Sequence, residues 1–480
     1  MRGQSVHSVS DHGAKGDRVT LDTDAINAAI TAAAADGGGR VVLPPGHYLS
    51  FSIRLRSGIT LELCEGAVLE AADPARHPGQ YDPPELNLYD AWQDFGHSHW
   101  HNSLIWGEDV EDVALVGRGM IHGAGLTREG PGARWSRDHI GDRPLSMGPA
   151  VPLSPAAFEA EQAAMIGMGN KAVALKNARN VLIRDLTVLK GGHFAFLLTG
   201  VDGLVMSDLR IDTDRDGIDL DCVRDARLSN LQVNTPNDDA IVLKTSMALG
   251  ERRATERIVI RDCRVTGYDP GTMLDGTFGR TQQISPDLDR VTGRIKLGTE
   301  SNGDFRDIDI ADCVFERSRG LAIETVDGGV IEDIRVRDIV MREVTTAPIF
   351  LRLGDRRRGP PGTGVGALRR VTIENLTATG IDPRYAATIA GLPDNPIEDV
   401  VLRNVHLTYA GGGTAADAER PVPELPHAYP EPSMFGTSPA FGLFARHVRG
   451  LTLDDVTLNT EGPDARPETR LDDVEGLDRS

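Results

Sequence analysis

The chain is 480 residues long, carries a formal net charge of −20 at pH 7 and is only 5% aromatic. An acidic balance of that size excludes nucleic acid and anionic membrane as natural partners, though a local basic pocket could still receive an acidic sugar. No stretch approaches the roughly 18 consecutive apolar residues of a membrane span.

The opening Met1-Arg2-Gly3-Gln4-Ser5-Val6 lacks the apolar segment of a secretory leader. The expectation is a cytoplasmic protein, or a secreted or periplasmic one if a leader has been removed. Residues 5–20 read as a short strand and a glycine-containing loop. Residues 22–35 read as a helix: Asp22 or Thr23 can cap it, and Ile26, Ala29, Ile30 and Ala33 form one apolar stripe. Gly37, Gly38 and Gly39 end it. Short strands are expected at 41–43, 53–55 and 59–63. Two insertions follow, 81–101 and 134–164, the second with a short helix through 156–164. The first holds Tyr89, Trp92, His97, His99, Trp100 and His101. These either offer aromatic faces to a sugar or pack the loop against the body. The histidines show no metal-ligand spacing.

From about Leu104 to Leu458 one unit recurs: apolar alternation, then Asp or Asn, then an apolar residue. Its anchors are Asp185, Asp208, Asn230, Asp262, Asp312, Asp338, Asn375, Asn404 and Asp455, at intervals of 23, 22, 32, 50, 26, 37, 29 and 51 residues. The short intervals set a basic period, and the longer ones carry insertions such as 267–292. Short period-2 strands without helices between them point to a parallel β-helix, with helix 22–35 covering its open end. A β-sandwich would not reproduce one anchor so often. Asp and Asn at a fixed turn suit left-handed backbone and can form ladders between rungs.

The expected organisation is a single all-β domain over 1–462, with rim loops at 81–101, 134–164, 267–292 and 410–440 and an acidic tail at 463–480. His427, Tyr429, Met434 and Phe435 in the last loop either reach over a groove or strap the core. Of the four cysteines, Cys263 and Cys313 fill the slot that other rungs give to Leu186, Leu209 or Ile339. They read as buried free thiols, not as zinc or disulfide ligands.

Two rungs carry candidate chemistry. Asp216-Gly217-Ile218-Asp219-Leu220 and Asp239-Ala240-Ile241-Val242-Leu243 each place a carboxylate before an apolar strand, 23 residues apart. Stacked rungs would bring Asp216 within ~4.8 Å of Asp239, and Asp238 adds a third acid. Such crowding is unfavourable unless the acids do chemistry or hold a cation, and it raises at least one pKa.

On these residues the chain resembles glycoside hydrolase family 28, the polygalacturonase-like enzymes. The opening HSVSDHGAKGDRVTLDTDAINAAI and GGGRVVLPPGHYL are similar to that family's N-terminal region, which related β-helix enzymes share. Asp214-Arg215-Asp216-Gly217-Ile218-Asp219 matches the family's Asn-Thr-Asp-Gly-Ile-Asp motif, and Asp238-Asp239 its Asp-Asp pair. The resemblance implies a right-handed parallel β-helix that hydrolyses galacturonate-containing pectic poly- or oligosaccharides with inversion and without metal or cofactor. Carried over by position, Asp238 is the general acid, and Asp216 and Asp239 hold and activate the water. Spacing alone would favour retention, since inversion commonly separates the carboxyls by roughly 6.5–9.5 Å.

The chain also departs from the family. Thr292 stands where the family has His, and Ala322 and Glu324 stand in its Arg and Lys slots; Arg294-Ile295-Lys296 lies one rung early. In the inferred register Asp221, Lys244, Gly298, Glu324 and Arg352 share one outward column, and Asp219, Lys296 and Ala322 its neighbour. The substrate-binding candidates are therefore His193, Lys244, Arg294, Lys296, Glu324 and Arg352, although His193 also reads as a packing partner of Phe194. The insertion 267–292 is expected to rebuild one end of the cleft, and an occluded cleft would favour short or terminal substrates.

Rival readings are a calcium-dependent pectate-lyase-like site with Lys244 as base, and a non-catalytic carbohydrate-binding β-helix. Asp212-x-Asp214-x-Asp216-Gly217 imitates a calcium loop, but its twelfth position is Val223 and its flanks are strands. Gly362-x-Gly364-x-Gly366 lacks the strand-to-helix setting of a dinucleotide site.

Overall fold

All nine Asp and Asn anchors adopt left-handed backbone, with φ between 50° and 67°. A single left-handed residue bends the chain between two strands of one coil, and Asp and Asn tolerate that conformation. Their side chains ladder as expected. Asn230 donates to Asp208 at 2.6 Å, Asn375 to Asp338 at 2.9 Å and Asn404 to Asn375 at 2.8 Å. A second left-handed series was missed in the sequence: Asp112, Asn180, Gly203, Asp225, Arg257, Asp307, Asp333, Arg370, Asp399, Gly450 and Gly476. Its mixed composition hides it.

The computed structural model describes residues 5–93, 97–128 and 163–479, with 156 and 160 as isolated positions. The fold is a right-handed parallel β-helix. One of its faces stacks, in order, Lys171–Lys176, Phe194–Thr199, Asp216–Asp221, Ile241–Thr245, Ile295–Ser301, Leu321–Thr325, Ile349–Leu353 and Ala387–Ala390. Along each strand alternate residues enter the bore. Ile218, Leu220, Ile241, Leu243, Ile295 and Leu297 are fully buried and belong to one core that runs from Val9 to Leu458. Burying each such side chain contributes roughly 1.5–3 kcal/mol. That stacking energy is what holds like charges on adjacent rungs.

Helix Thr23–Ala35 lays Ile26, Ala29, Ile30 and Ala33 over the open end of the bore. Neither expected cap acts as one. The Asp22 carboxylate accepts from the N–H groups of Lys15 and Gly16, and Thr23 Oγ1 accepts from Phe51 N–H. The acidic tail expected at 463–480 is instead largely a strand, Thr469–Arg479, paired in parallel with Leu443–Thr460. Leu471, Val474 and Leu477 register with Ala445, Val448 and Leu451, while Asp473 and Gly476 supply left-handed turns. The high Asp and Glu content masked one more rung.

The rim loop 134–164, with its helix at 156–164, lies largely outside the described residues. The loop 81–101 packs against the body: Trp100 is fully buried with Ala174, Phe194 and Leu197, and its Nε1 donates to Thr199 Oγ1 at 2.9 Å. All four cysteines are free, and Cys263 and Cys313 are buried as expected. Among the described residues no helix is long and apolar enough to cross a membrane.

Candidate active site

Asp216 opens its strand, and Asp239 occupies the matching place on the next rung, where Gly217 N–H donates to the Asp239 carbonyl at 3.0 Å. Asp238 directly precedes it. One carboxylate oxygen from each of the three acids lies within 4.8 Å of the other two. The crowding inferred from the 23-residue spacing is therefore real. Asp216 and Asp239 are buried, whereas the Asp238 side chain keeps 25% exposure and is the acid that meets solvent.

The surroundings divide the three. Burial and the neighbouring Asp238 push Asp216 well above the usual carboxylate range. Burial also raises Asp239, but Arg294, whose Nε donates to it at 2.7 Å, and Lys296, 3.7 Å away, reverse that and bring it down to about 2. Arg215 donates to Asp238 at 2.6 Å. The surroundings therefore favour the protonated form at Asp216 and the ionised form at Asp239. A site with one protonated and one ionised carboxyl is equipped for general acid and general base work.

Beneath the cluster Asp219 is fully buried. It lies 2.8 Å from Lys244 Nζ and 3.0 Å from His97 Nε2. His97 arrives from the 81–101 loop, packs at 4.7 Å against the Phe194 ring and contacts Lys244 directly. Lys244 lies 3.6 Å from Glu300, which Arg358 binds at 3.0 Å. His97, Asp216 and Asp219 converge within 4.8 Å, a spacing a divalent cation could use. However, the Lys244 ammonium already sits against two of them, and Arg215 and Arg294 engage Asp238 and Asp239. The donor set does not fit calcium, which needs six or more oxygen ligands.

The register inferred from sequence is present in part: Asp219, Val242, Lys296 and Ala322 align, as do Asp221 with Lys244 and Glu324 with Arg352, but a shift after Leu243, where Thr245 pairs with Ser301, breaks the column expected to run through Gly298. The six substrate-binding candidates nevertheless separate. Arg294 and Lys296 reach the acids directly, and Lys244 reaches them through Asp219. Glu324 is fully buried beneath Lys296 at 3.4 Å, and burial raises it to about 7. Arg352 is not at the acids. It donates to the carbonyls of Ala390, Gly391, Glu424 and Leu425 and faces the Phe435 ring at 5.3 Å, so it fastens the 410–440 loop. Alternation gave its side of the strand but not its neighbours. His193 is buried, its Nδ1 donates to the Arg128 carbonyl at 2.6 Å and its ring packs tilted against Phe194 at 4.5 Å. Burial lowers its pKa well below the usual range and leaves it neutral. Gly293 N–H donates to the Asp238 carbonyl at 3.1 Å, which sets Thr292 beside the acid pair.

Asp212 is an anchor for the 267–292 insertion: its carboxylate accepts from the N–H groups of Gly271, Met273 and Leu274. The 410–440 loop both straps and reaches. Met434 and Phe435 are buried against Ala322, Phe350 and Phe444, while the Tyr429 hydroxyl lies 3.0 Å from Thr299 Oγ1. Two site contacts are not foreseen from sequence: His97 is named there only as a residue of the 81–101 loop, and Glu431 not at all. His97 lies 122 residues before Asp219, and Glu431 lies 137 residues after Arg294, whose Nη1 and Nη2 it accepts at 3.0 and 2.5 Å. No local pattern marks either one.

Comparison with known proteins agrees with this fold. Residues 6–62 match the family described as rhamnogalacturonase A/epimerase, pectate lyase-like. A probable polygalacturonase from Vitis vinifera is 25% identical over 469 residues, covering 91% of this chain and 84% of that protein. The fold is similar to that of a hyperthermoactive exopolygalacturonase from Thermotoga maritima (TM-score 0.62, 19% identity, covering 94% of this chain and 93% of that one). It is also similar to a family 28 exopolygalacturonase from Yersinia enterocolitica (TM-score 0.68, 19% identity, covering 100% and 79%).

Proposed function

We propose that the chain is a polygalacturonase-like glycoside hydrolase, similar to those of family 28, and that its three-aspartate cluster hydrolyses galacturonate-containing pectic saccharides with inversion. The observation that carries the reading is the geometry of the cluster: three carboxylates from adjacent rungs within 4.8 Å of one another, with Asp239 bound by Arg294 and Asp238 partly exposed.

In this mechanism Asp238, at the open face, passes the proton held by the three-carboxyl cluster to the glycosidic oxygen as the bond to the anomeric carbon breaks. Asp239, oriented by Arg294, takes a proton from the water whose oxygen bonds to that carbon. Burial and the neighbouring Asp238 raise Asp216, which favours keeping that proton within the cluster until Asp238 delivers it. Inversion usually needs carboxyls roughly 6.5–9.5 Å apart to admit the water. The closest oxygens here are nearer, so the stereochemistry rests on the family resemblance.

The test is a panel of polygalacturonan, rhamnogalacturonan and their short oligosaccharides, with products resolved by chain length and anomer. Inverted products that vanish in Asp238→Asn are expected. Retained anomers would remove inversion, and unsaturated products absorbing in the ultraviolet would replace hydrolysis with lyase chemistry.

A further inference from the structure

Arg294 spends its whole guanidinium on the protein. Nε goes to Asp239 at 2.7 Å, and Nη1 and Nη2 go to Glu431 at 3.0 and 2.5 Å. A bidentate fork of this kind is how arginine grips a free carboxylate. Here the carboxylate it grips belongs to the chain's own 410–440 loop. A second arginine, Arg319, lies 3.5 Å from the same Glu431 oxygen.

Glu431 is 4% exposed, and the segment that carries it is firmly seated. Met434 and Phe435 are buried, and Arg352 holds the carbonyls of Glu424 and Leu425. The neighbouring cations are committed as well: Lys296 lies 3.4 Å from Glu324, Lys244 lies 2.8 Å from Asp219, and Arg215 lies 2.6 Å from Asp238. A uronate carboxylate placed over Arg294 would thus meet Glu431, Asp239 and Glu324, each already sharing the available positive charge. Like charges in a poorly hydrated site repel strongly.

We propose that Glu431 is a specificity-determining residue: it fills the carboxylate place on the Arg294 side of the acids, so the saccharide unit bound there carries no free carboxylate. That unit is a neutral sugar or an esterified uronate. The assignment rests on the glycosidase reading of the same cluster.

The experiment compares three ligands: trigalacturonate, its methyl ester and a rhamnogalacturonan oligosaccharide. Calorimetric affinity is measured on Asp238→Asn protein, and kcat/KM on active protein, each with and without Glu431→Gln and Glu431→Ala. Glu431→Gln keeps the side-chain size and guards against loss of the loop's fold. With Glu431 present, the uncharged ligands should be preferred at least tenfold over trigalacturonate; both replacements should shift that ratio toward trigalacturonate tenfold or more. The methyl ester and rhamnogalacturonan arms separate an esterified uronate from a neutral sugar. Equal affinity for all three, or a ratio unchanged by both replacements, overturns the assignment. Absent turnover with the binding preference intact would sink the hydrolase reading alone.

Discussion

Arg294 and Asp239 meet at 2.7 Å across two neighbouring rungs, and that bond decides which carboxyl of the cluster is charged. Without the guanidinium, burial would act on Asp239 as it acts on Asp216 and push its pKa up. Arg294→Gln should therefore raise the acid limb of the kcat/KM profile by a unit or more. It also leaves Asp239 and Glu431 without their shared cation, a loss of about 3–5 kcal/mol of stability. A pH–rate profile and a denaturant titration read the two effects separately. An unmoved acid limb would show that Asp239 is not the base.

The proton assignment separates two conservative variants. Asp216→Asn replaces a carboxyl whose neutral form its burial already favours and should leave stability within about 1 kcal/mol of the parent. Asp239→Asn leaves Arg294 and Lys296 buried against an uncharged amide and should cost about 3–5 kcal/mol. Both should lower kcat by about 10²–10⁴-fold. Equal stability losses would contradict the split.

Stability should depend on pH at two ends, with opposite signs. Asp239 has a folded pKa of about 2 against an ordinary 3.8, so its contribution is present above about pH 4 and lost as pH falls toward 2. That contribution is on the order of 2 kcal/mol. Glu324 has a folded pKa of about 7 against 4.5, so the folded state is favoured below about pH 4.5 and loses that advantage as pH rises through 7. Glu324→Gln should flatten the stability curve between pH 5 and 7.5. Urea titrations at those two pH values check it, and an unchanged slope would refute it.

Chelation should have no effect. The Lys244 ammonium lies against Asp219 and His97, where a cation would have to bind. EDTA is expected to leave both activity and Tm unchanged, and added calcium to do the same. A calcium-dependent rise in either would favour the lyase-like reading.

Asn234 should matter for stability far more than its position suggests. It is fully buried and makes four hydrogen bonds: it donates to Asp212 and the Tyr268 carbonyl and accepts from Thr266 and Tyr268 N–H. Asn234→Ala strands these partners. At about 1–3 kcal/mol for each buried unsatisfied group, the total should be several kcal/mol. Thermal unfolding measures it, and a shift of less than about 2 °C would mean that other groups take over these bonds.

The coil was legible because its anchors are chemically alike. Nine Asp and Asn residues at a left-handed turn give period and register together, and the register brings Asp216, Asp238 and Asp239 into one cluster. The second turn series was hidden because Asp, Asn, Arg and Gly share it. The final rung was hidden because its Asp and Glu content outweighed Leu471, Val474 and Leu477. Alternation along a strand tells which side a residue faces, not what comes to meet it. Arg352 was therefore placed beside the acids, although it ties down a loop. His97 and Glu431 contact the site only through loop closure over more than a hundred residues, and no sequence periodicity records that.

The ladders of left-handed turns also separate two design problems. Coil pitch is set by stacking in the bore and at the turns, so the spacing of the reacting acids does not depend on the loops above them. Loops above the rungs can then be altered to change which sugar is admitted, provided that His97 of 81–101 and Glu431 of 410–440 keep their bonds to Asp219 and Arg294. A β-helix of this kind is a fixed workbench with interchangeable jaws.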